Sequence, residues 1–233
     1  MRVGIAGYGV VGKTRHRSIE SNTSYQVTAI SESSEDARQS IPAGIDVFND
    51  YKSLIANAEI DIIFISLPNK FAAEAASLSL QNGLHVFCEK PPARTHAELL
   101  EVQKQSLRFP ELKLMYGFNH RFHLSVEEAK SLIHSNSLGQ IINMKGVYGK
   151  SQMISFNQTD WRTDREASGG GILLDQGIHM LDLMRYLSGE NFTQVFSFID
   201  NAFWNFDVED NAYVLMKSPR GLVAQLHSSA TQW

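Results

Sequence analysis

Two groups of residues in this chain have types and spacings that can do chemistry. Near the amino terminus, Gly7-Tyr8-Gly9-Val10-Val11-Gly12 carries the spacing G-x-G-x-x-G. At such a spacing each glycine does what a side chain would obstruct. Gly7 turns the chain off a strand, Gly9 lets a pyrophosphate approach the backbone, and Gly12 lets the next helix pack against the sheet. A helix opening near Val10 aims its free N–H groups and positive dipole end at those phosphates. Glu32 stands twenty positions after Gly12, where a carboxylate accepts both ribose hydroxyls of NAD. An ordinary Gly-rich turn with a solvated glutamate is the alternative. Ser33 and Ser34 are small and polar enough for a 2′-phosphate, so NAD is favoured and NADP stays open. In the second half, Asp175, His179 and Asp182 recur at steps of four and three, so they share one face of a helix. An acid four residues before a histidine holds the imidazole and raises its basicity. Gly169-Gly170-Gly171 ahead of that helix lets a cofactor or substrate approach the backbone. From spacing alone two readings stand: a proton-handling histidine, or two solvated acids beside a satisfied polar one.

These residues need strands and helices to position them, and the pattern supplies both. Val3 to Ala6 is small and apolar, like a strand buried on both faces. Tyr25 to Ser31, Ile45 to Phe48, Asp61 to Leu67, Leu84 to Phe87 and Leu112 to Gly117 read as further strands. Between them run helices over Tyr51 to Ala56, Phe71 to Gln81 and Thr95 to Leu107. Asn82-Gly83 stops the second of these, and a Thr95/Glu98 capping box starts the third. Alternation of this kind predicts a doubly wound parallel sheet, whose ligands bind beyond the carboxyl ends of the strands. Those ends are Gly7-Tyr8-Gly9, Glu32, Leu67-Pro68-Asn69, Glu89-Lys90-Pro91 and Asn119. The unusual chemistry of the first half therefore lies on one edge.

From Leu124 the pattern changes. A helix bearing Val126, Ala129, Leu132 and Ile133 leads to a strand over Ile141 to Tyr148. A polar loop over 151–168 holds Trp161 and Arg162. A single helix is expected from about Ile172 to Leu187, with a buried stripe of Leu173, Gly177, Met180, Met184 and Leu187. Strands over Thr193 to Phe203, Val208 to Lys217 and Leu222 to His227 follow, the last two joined by the turn Ser218-Pro219-Arg220-Gly221. Consecutive strands predict a largely antiparallel sheet. The expected organisation is a Rossmann-type α/β domain over 1–121 and an α+β domain over 122–233.

Composition removes other classes. The chain has 233 residues, 43% hydrophobic and 20% charged, with net charge −4. It carries no basic run for nucleic acid and no long apolar run for a membrane. A strand beginning at Arg2 leaves no room for a signal peptide, and the single cysteine, Cys88, suits a reducing cytoplasm. His120-Arg121-Phe122-His123 lacks the cysteine or acid partners a metal site needs and reads as a surface or cleft segment, and Cys88 reads as packed rather than nucleophilic. Phe192, Phe196, Phe198, Phe203, Trp204 and Phe206 read as sheet faces, with the alternation at 196 and 198 pointing to core.

Taken together, Gly7 to Gly12, Glu89-Lys90-Pro91, Asn119 before Arg121-Phe122, Trp161-Arg162 and the run from Gly169 to Leu183 resemble the Gfo/Idh/MocA family of oxidoreductases. The resemblance spans the chain. It implies a nicotinamide cofactor and a sugar, cyclic polyol or nucleotide-sugar substrate. It makes Lys90 and His179 the proton-handling pair, with Asp175 assisting, and it places Asn119 and Arg162 near the nicotinamide and its phosphate. It also implies a cis peptide before Pro91 and oligomerisation through the second sheet. Imidazole titrates near 6.5 and lysine near 10.4, and a base works best near the operating pH, so His179 is the favoured base and Lys90 the polarising group. Three features depart from the family pattern. Ala72 stands where a histidine is common, Pro92 follows Pro91, and the chain is short, reading as a fragment that lacks part of the second sheet. Two further readings stand beside the dehydrogenase: a cofactor-binding regulator or redox sensor without turnover, and a Rossmann reductase of a non-sugar carbonyl or imine.

Overall fold

The computed structural model of the chain describes residues 1–152 and 161–233. Most of the polar loop expected over 151–168 therefore lies outside the described residues. The chain divides into two compact units, residues 1–117 and 118–233. The division falls after Gly117, so Asn119, His120 and Arg121 belong to the second unit rather than closing the first.

In the first unit the elements alternate as the pattern requires: β1 (Arg2–Ala6), α1 (Val10–Glu20), β2 (Gln26–Ser31), the single turn α2 (Glu35–Arg38), β3 (Asp46–Phe48), α3 (Tyr51–Asn57), β4 (Ile62–Ile65), α4 (Asn69–Gln81), β5 (His85–Cys88), α5 (His96–Arg108) and β6 (Leu114–Tyr116). The sheet order is β3-β2-β1-β4-β5-β6, and every pairing is parallel. The order reverses between β1 and β4, which opens a crevice at their carboxyl ends. Val3, Ile5, Ile30, Ile63 and Ile65 are buried with helices on both sides, the cause of the near-continuous apolar runs. Thr95 Oγ1 accepts from the Glu98 N–H at 3.2 Å. The Glu98 carboxylate reaches one residue beyond the cap, to the Arg94 N–H at 2.9 Å.

The second unit begins with a 3₁₀ turn, Asn119–Phe122, and continues through α6 (Leu124–His134), β7 (Asn143–Gly149), a 3₁₀ turn at Trp161–Thr163, α7 (Arg165–Ser168), a π-helical turn Leu173–Gly177, α8 (Ile178–Ser188), β8 (Gln194–Asp200), β9 (Asn211–Lys217) and β10 (Val223–Ser229). Its sheet runs β7-β10-β9-β8. β8–β9 and β9–β10 are antiparallel, and β7 joins β10 in parallel. The sheet is therefore mixed, because the chain leaves β7 through helical segments before returning to it. Met184 packs with Val214, Met216, Ala224 and Leu226, and Leu173 and Met180 lie against that cluster. The stripe expected from the sequence thus covers one sheet face.

Two expectations fail here for physical reasons. The helix is not continuous from Ile172, since a wider turn occupies Leu173–Gly177. Gly171, just before it, serves packing. A Cβ on Gly171 would lie 2.0 Å from the Glu209 carbonyl oxygen, and the Glu209 carboxylate accepts from the N–H groups of Gly171 (2.8 Å) and Leu173 (3.2 Å). Phe196 and Phe198 are not core. They are 62% and 67% exposed on the edge strand β8, with Tyr213 and Leu215 exposed beside them.

The loop between β8 and β9 is organised by Asp210, which is fully buried. Its carboxylate accepts from the N–H groups of Ala202 (3.0 Å), Phe203 (2.8 Å) and Trp204 (2.9 Å), and from Asn211 Nδ2 (2.9 Å). Burial pushes its pKa up, but these donors outweigh burial and hold it below the ordinary 3.8. A folded-state pKa below the unfolded one adds stability above the unfolded value, and that stability is lost as pH falls through the folded value. Asp210→Asn should therefore cost about 1–3 kcal/mol at pH 7, with the deficit shrinking in urea melts taken below pH 3.8.

Candidate functional site

The turn after β1 shows which glycines the fold needs. Gly7 has φ of +88°, and a Cβ there would meet the Ser66 carbonyl oxygen at 2.6 Å. A Cβ on Gly12 would lie 2.0 Å from the Gly7 oxygen. Gly9 is different, with φ of −72° and nothing within 4 Å of an added Cβ. Among the described residues neither backbone strain nor packing calls for glycine at residue 9, which keeps the turn open to an approaching ligand. No side chain caps α1, which leaves its first-turn N–H groups for that ligand. Val10 and Val11 are exposed at the same helix end.

Glu32 lies at the carboxyl end of β2. One carboxylate oxygen accepts from the Tyr8 N–H at 2.8 Å and the other from the Ser34 N–H at 2.9 Å. The carboxylate is thus fixed beside the glycine turn with lone pairs to spare for a diol. At the end of β4, Leu67 lies against Gly7, Pro68 caps α4, and Asn69 opens it, buried. At the end of β5, the Glu89 carboxylate accepts from Arg15 Nε at 2.6 Å, and the Arg15 guanidinium sits 5.0 Å over Phe87. Gly117 gives this carboxylate room, since a Cβ would lie 2.7 Å from Glu89 Oε2. Glu89 thus ties α1 to the strand end that carries Lys90. The Lys90–Pro91 peptide is cis. Burial raises the Cys88 thiol pKa far above its ordinary value, with the Glu89 charge adding to the shift, so Cys88 is a packed thiol.

In the second unit His179 is 5% exposed and held by rings. His120 stacks on it at 4.1 Å and 15°, Tyr148 lies parallel at 6.3 Å, and Phe118 meets it edge-on at 6.2 Å. Asp175 accepts from Gln176 Nε2 at 2.7 Å and lies 3.9 Å from Arg162 Nε. The Arg162 guanidinium covers Trp161 at 4.4 Å. Burial, and then the Asp175 charge, push the Tyr148 phenol pKa up. Asp182 has another task. It is buried in a two-point ion pair with Arg121, whose Nε donates at 2.7 Å. That pair fastens α8 to the 3₁₀ turn bearing Asn119 and His120. Asn119 itself is exposed on that turn rather than at the end of a strand.

Known proteins match both units. Residues 1–116 match the profile described as an oxidoreductase family with an NAD-binding Rossmann fold, and residues 126–233 match the GFO/IDH/MocA C-terminal domain. The chain belongs to the Gfo/Idh/MocA family. It is 29% identical to the D-glucoside 3-dehydrogenase of Escherichia coli over 81% of this chain and 54% of that protein. It is 32% identical to the levoglucosan dehydrogenase of Pseudarthrobacter phenanthrenivorans over 61% of this chain and 36% of that one. The crystal structure of myo-inositol 2-dehydrogenase from Lactobacillus plantarum superposes with a TM-score of 0.89 at 25% identity, covering 98% of this chain and 69% of that one. The chain therefore spans only about half, or less, of the two curated relatives.

For a Gfo/Idh/MocA protein the first unit fits NAD: an open glycine, an uncapped helix start and a fixed carboxylate line one turn. Sequence reasoning missed Arg15, His16 and Tyr148, and took His120 no further than a surface or cleft segment. His16 carried a readable signal, since Gly12, His16 and Ile19 are the buried positions of α1 at helical spacing. His120 and Tyr148 carried none, because their meeting with His179 joins three distant segments. Gly9→Ala should melt like the parent yet bind NADH about tenfold or more weakly by fluorescence titration, about 1.4 kcal/mol. Gly12→Ala should lower stability itself by at least ~2 kcal/mol.

Proposed function

We propose that the protein is an NAD-dependent dehydrogenase of a secondary alcohol on a sugar or cyclic polyol. One observation carries the reading: His179 is buried and clamped among the His120, Tyr148 and Phe118 rings, in a chain with a pyrophosphate turn. The activities its relatives are named for, on glucoside, levoglucosan and inositol, support the substrate class. In this reading Gly7, Tyr8, Gly9, Val10, Val11 and Gly12 hold the pyrophosphate through main-chain groups. Glu32 takes the adenosine ribose, and Leu67, Pro68 and Asn69 flank the nicotinamide ribose. Asn119, Trp161 and Arg162 serve the nicotinamide end. Glu89 acts on Lys90 through its bond to Arg15.

The bound nicotinamide supplies the hydride acceptor. As hydride leaves the carbinol carbon, its hydroxyl must lose a proton, and His179 takes it. Asp175 favours the imidazolium that forms. Lys90, an ammonium donor, polarises the substrate oxygen. Stacking fixes the imidazole plane, so the base needs little reorganisation.

His179→Ala should bind NADH as the parent does and lose about 10²–10⁴-fold in single-turnover hydride transfer; an undiminished rate removes His179 from the chemistry. Glucosides, aldoses and inositols are the panel to assay.

The second sheet gives the partner reading. Phe196, Phe198, Leu215, Tyr213, Val147 and Val223 are exposed, and the strand registers put them on one face. Contiguous apolar surface of this kind marks association, and a second copy is the proposed occupant. The parent should elute as an oligomer in light-scattering chromatography, and Phe198→Glu as a monomer; a monomeric parent rejects the proposal. A free buried Cys88 suits the reducing cytoplasm proposed as its location.

A further inference from the structure

Tyr8 stands between the first two glycines of the phosphate turn, yet its side chain points away from any ligand there. It is 4% exposed and packs with Val3, Ile5, Ile19 and Ile30. Its hydroxyl lies 2.6 Å from His16 Nδ1. His16, also buried, places Nε2 3.2 Å from Glu20 Oε1. A carboxylate only accepts, so neutral His16 carries its proton on Nε2 and leaves the Nδ1 lone pair for the Tyr8 O–H. Burial, and then Glu20, push the phenol pKa up, which keeps it a donor. At its other end Tyr8 donates its main-chain N–H to Glu32. One residue thus connects the interior of α1 to the carboxylate proposed for the adenosine ribose. The hydroxyl and the imidazole add little to packing that a phenyl ring would not.

We propose that the Tyr8–His16 hydrogen bond sets the preference for NAD over NADP by fixing the phosphate turn against Glu32. Tyr8 is a positioning residue in this device, and the inference rests on Glu32 being the ribose ligand. A fixed carboxylate accepts the 2′- and 3′-hydroxyls together. It also stands its charge against a 2′-phosphate, which carries close to two negative charges. When the turn loosens, Glu32 gives up the diol geometry and swings clear of the phosphate, so binding of NADH weakens while that of NADPH does not. General damage to the turn weakens both, since both share the pyrophosphate.

The test is fluorescence titration of NADH and NADPH, independent of turnover, with melting curves for each variant. In the parent NADH should bind at least about tenfold more tightly. Tyr8→Phe should raise the NADH dissociation constant about fivefold and leave that of NADPH within twofold. His16→Gln keeps an amide near Glu20 and gives up the Tyr8 bond, so it should match Tyr8→Phe and serves if that variant does not fold. His16→Asn offers a carbonyl oxygen near the Nδ1 position and should restore the parent ratio. A parent without preference overturns the ribose assignment of Glu32. A parent with preference whose ratio survives in Tyr8→Phe and His16→Gln, or falls equally in His16→Asn, overturns the inference alone.

Discussion

The first unit is built around a contact that allows no side chain. Gly12, in the first turn of α1, faces the carbonyl of Gly7 so closely that a Cβ would overlap it. That approach sets the helix start at the carboxyl ends of β1 and β4. It directs uncapped N–H groups at one point, and dipole and donors act there together. From that helix two polar residues reach into the sheet's edge. Arg15 takes the Glu89 carboxylate and His16 takes the Tyr8 phenol. Each bond is modest on its own. With the Tyr8 N–H to Glu32 bond they join three strand ends, those of β1, β2 and β5, to one helix.

The second unit solves its own positioning problem with an acid and a close glycine. Glu209 caps the Leu173–Gly177 turn, and Gly171 lets it come near enough to do so. A π-helical turn is rare and tends to occur at functional sites. Here it carries Asp175 and leads directly into the turn bearing His179. The Arg121–Asp182 pair then fixes the Asn119–Phe122 turn to α8, so the His120 ring lies flat on His179. Arginine suits this pair because its fork matches both carboxylate oxygens. The ion pair therefore serves geometry around the histidine rather than chemistry.

The first sheet was legible because local pattern and tertiary environment agree. Buried parallel strands read as apolar runs, and the glycine spacing, the Thr95 and Gly83 boundaries and Glu32 follow from short-range rules. The Asp175–His179–Asp182 spacing was legible as a line but not as a division of labour. Spacing cannot tell an acid that pairs with Arg121 from one that faces Arg162. Alternation in β8 misled, since an exposed apolar face alternates just as a buried one does.

The sequence by itself determined the order of elements, the glycine turn, the acid after β2 and the family, because each depends on residues near one another along the chain. The tertiary structure decided that β7 pairs in parallel, that Gly171 makes room for Glu209, and that His120 and Tyr148 flank His179. It also decided that Tyr8 turns inward to His16. These outcomes depend on which surfaces meet once distant segments pack, and close packing admits one such arrangement where the linear pattern allows several.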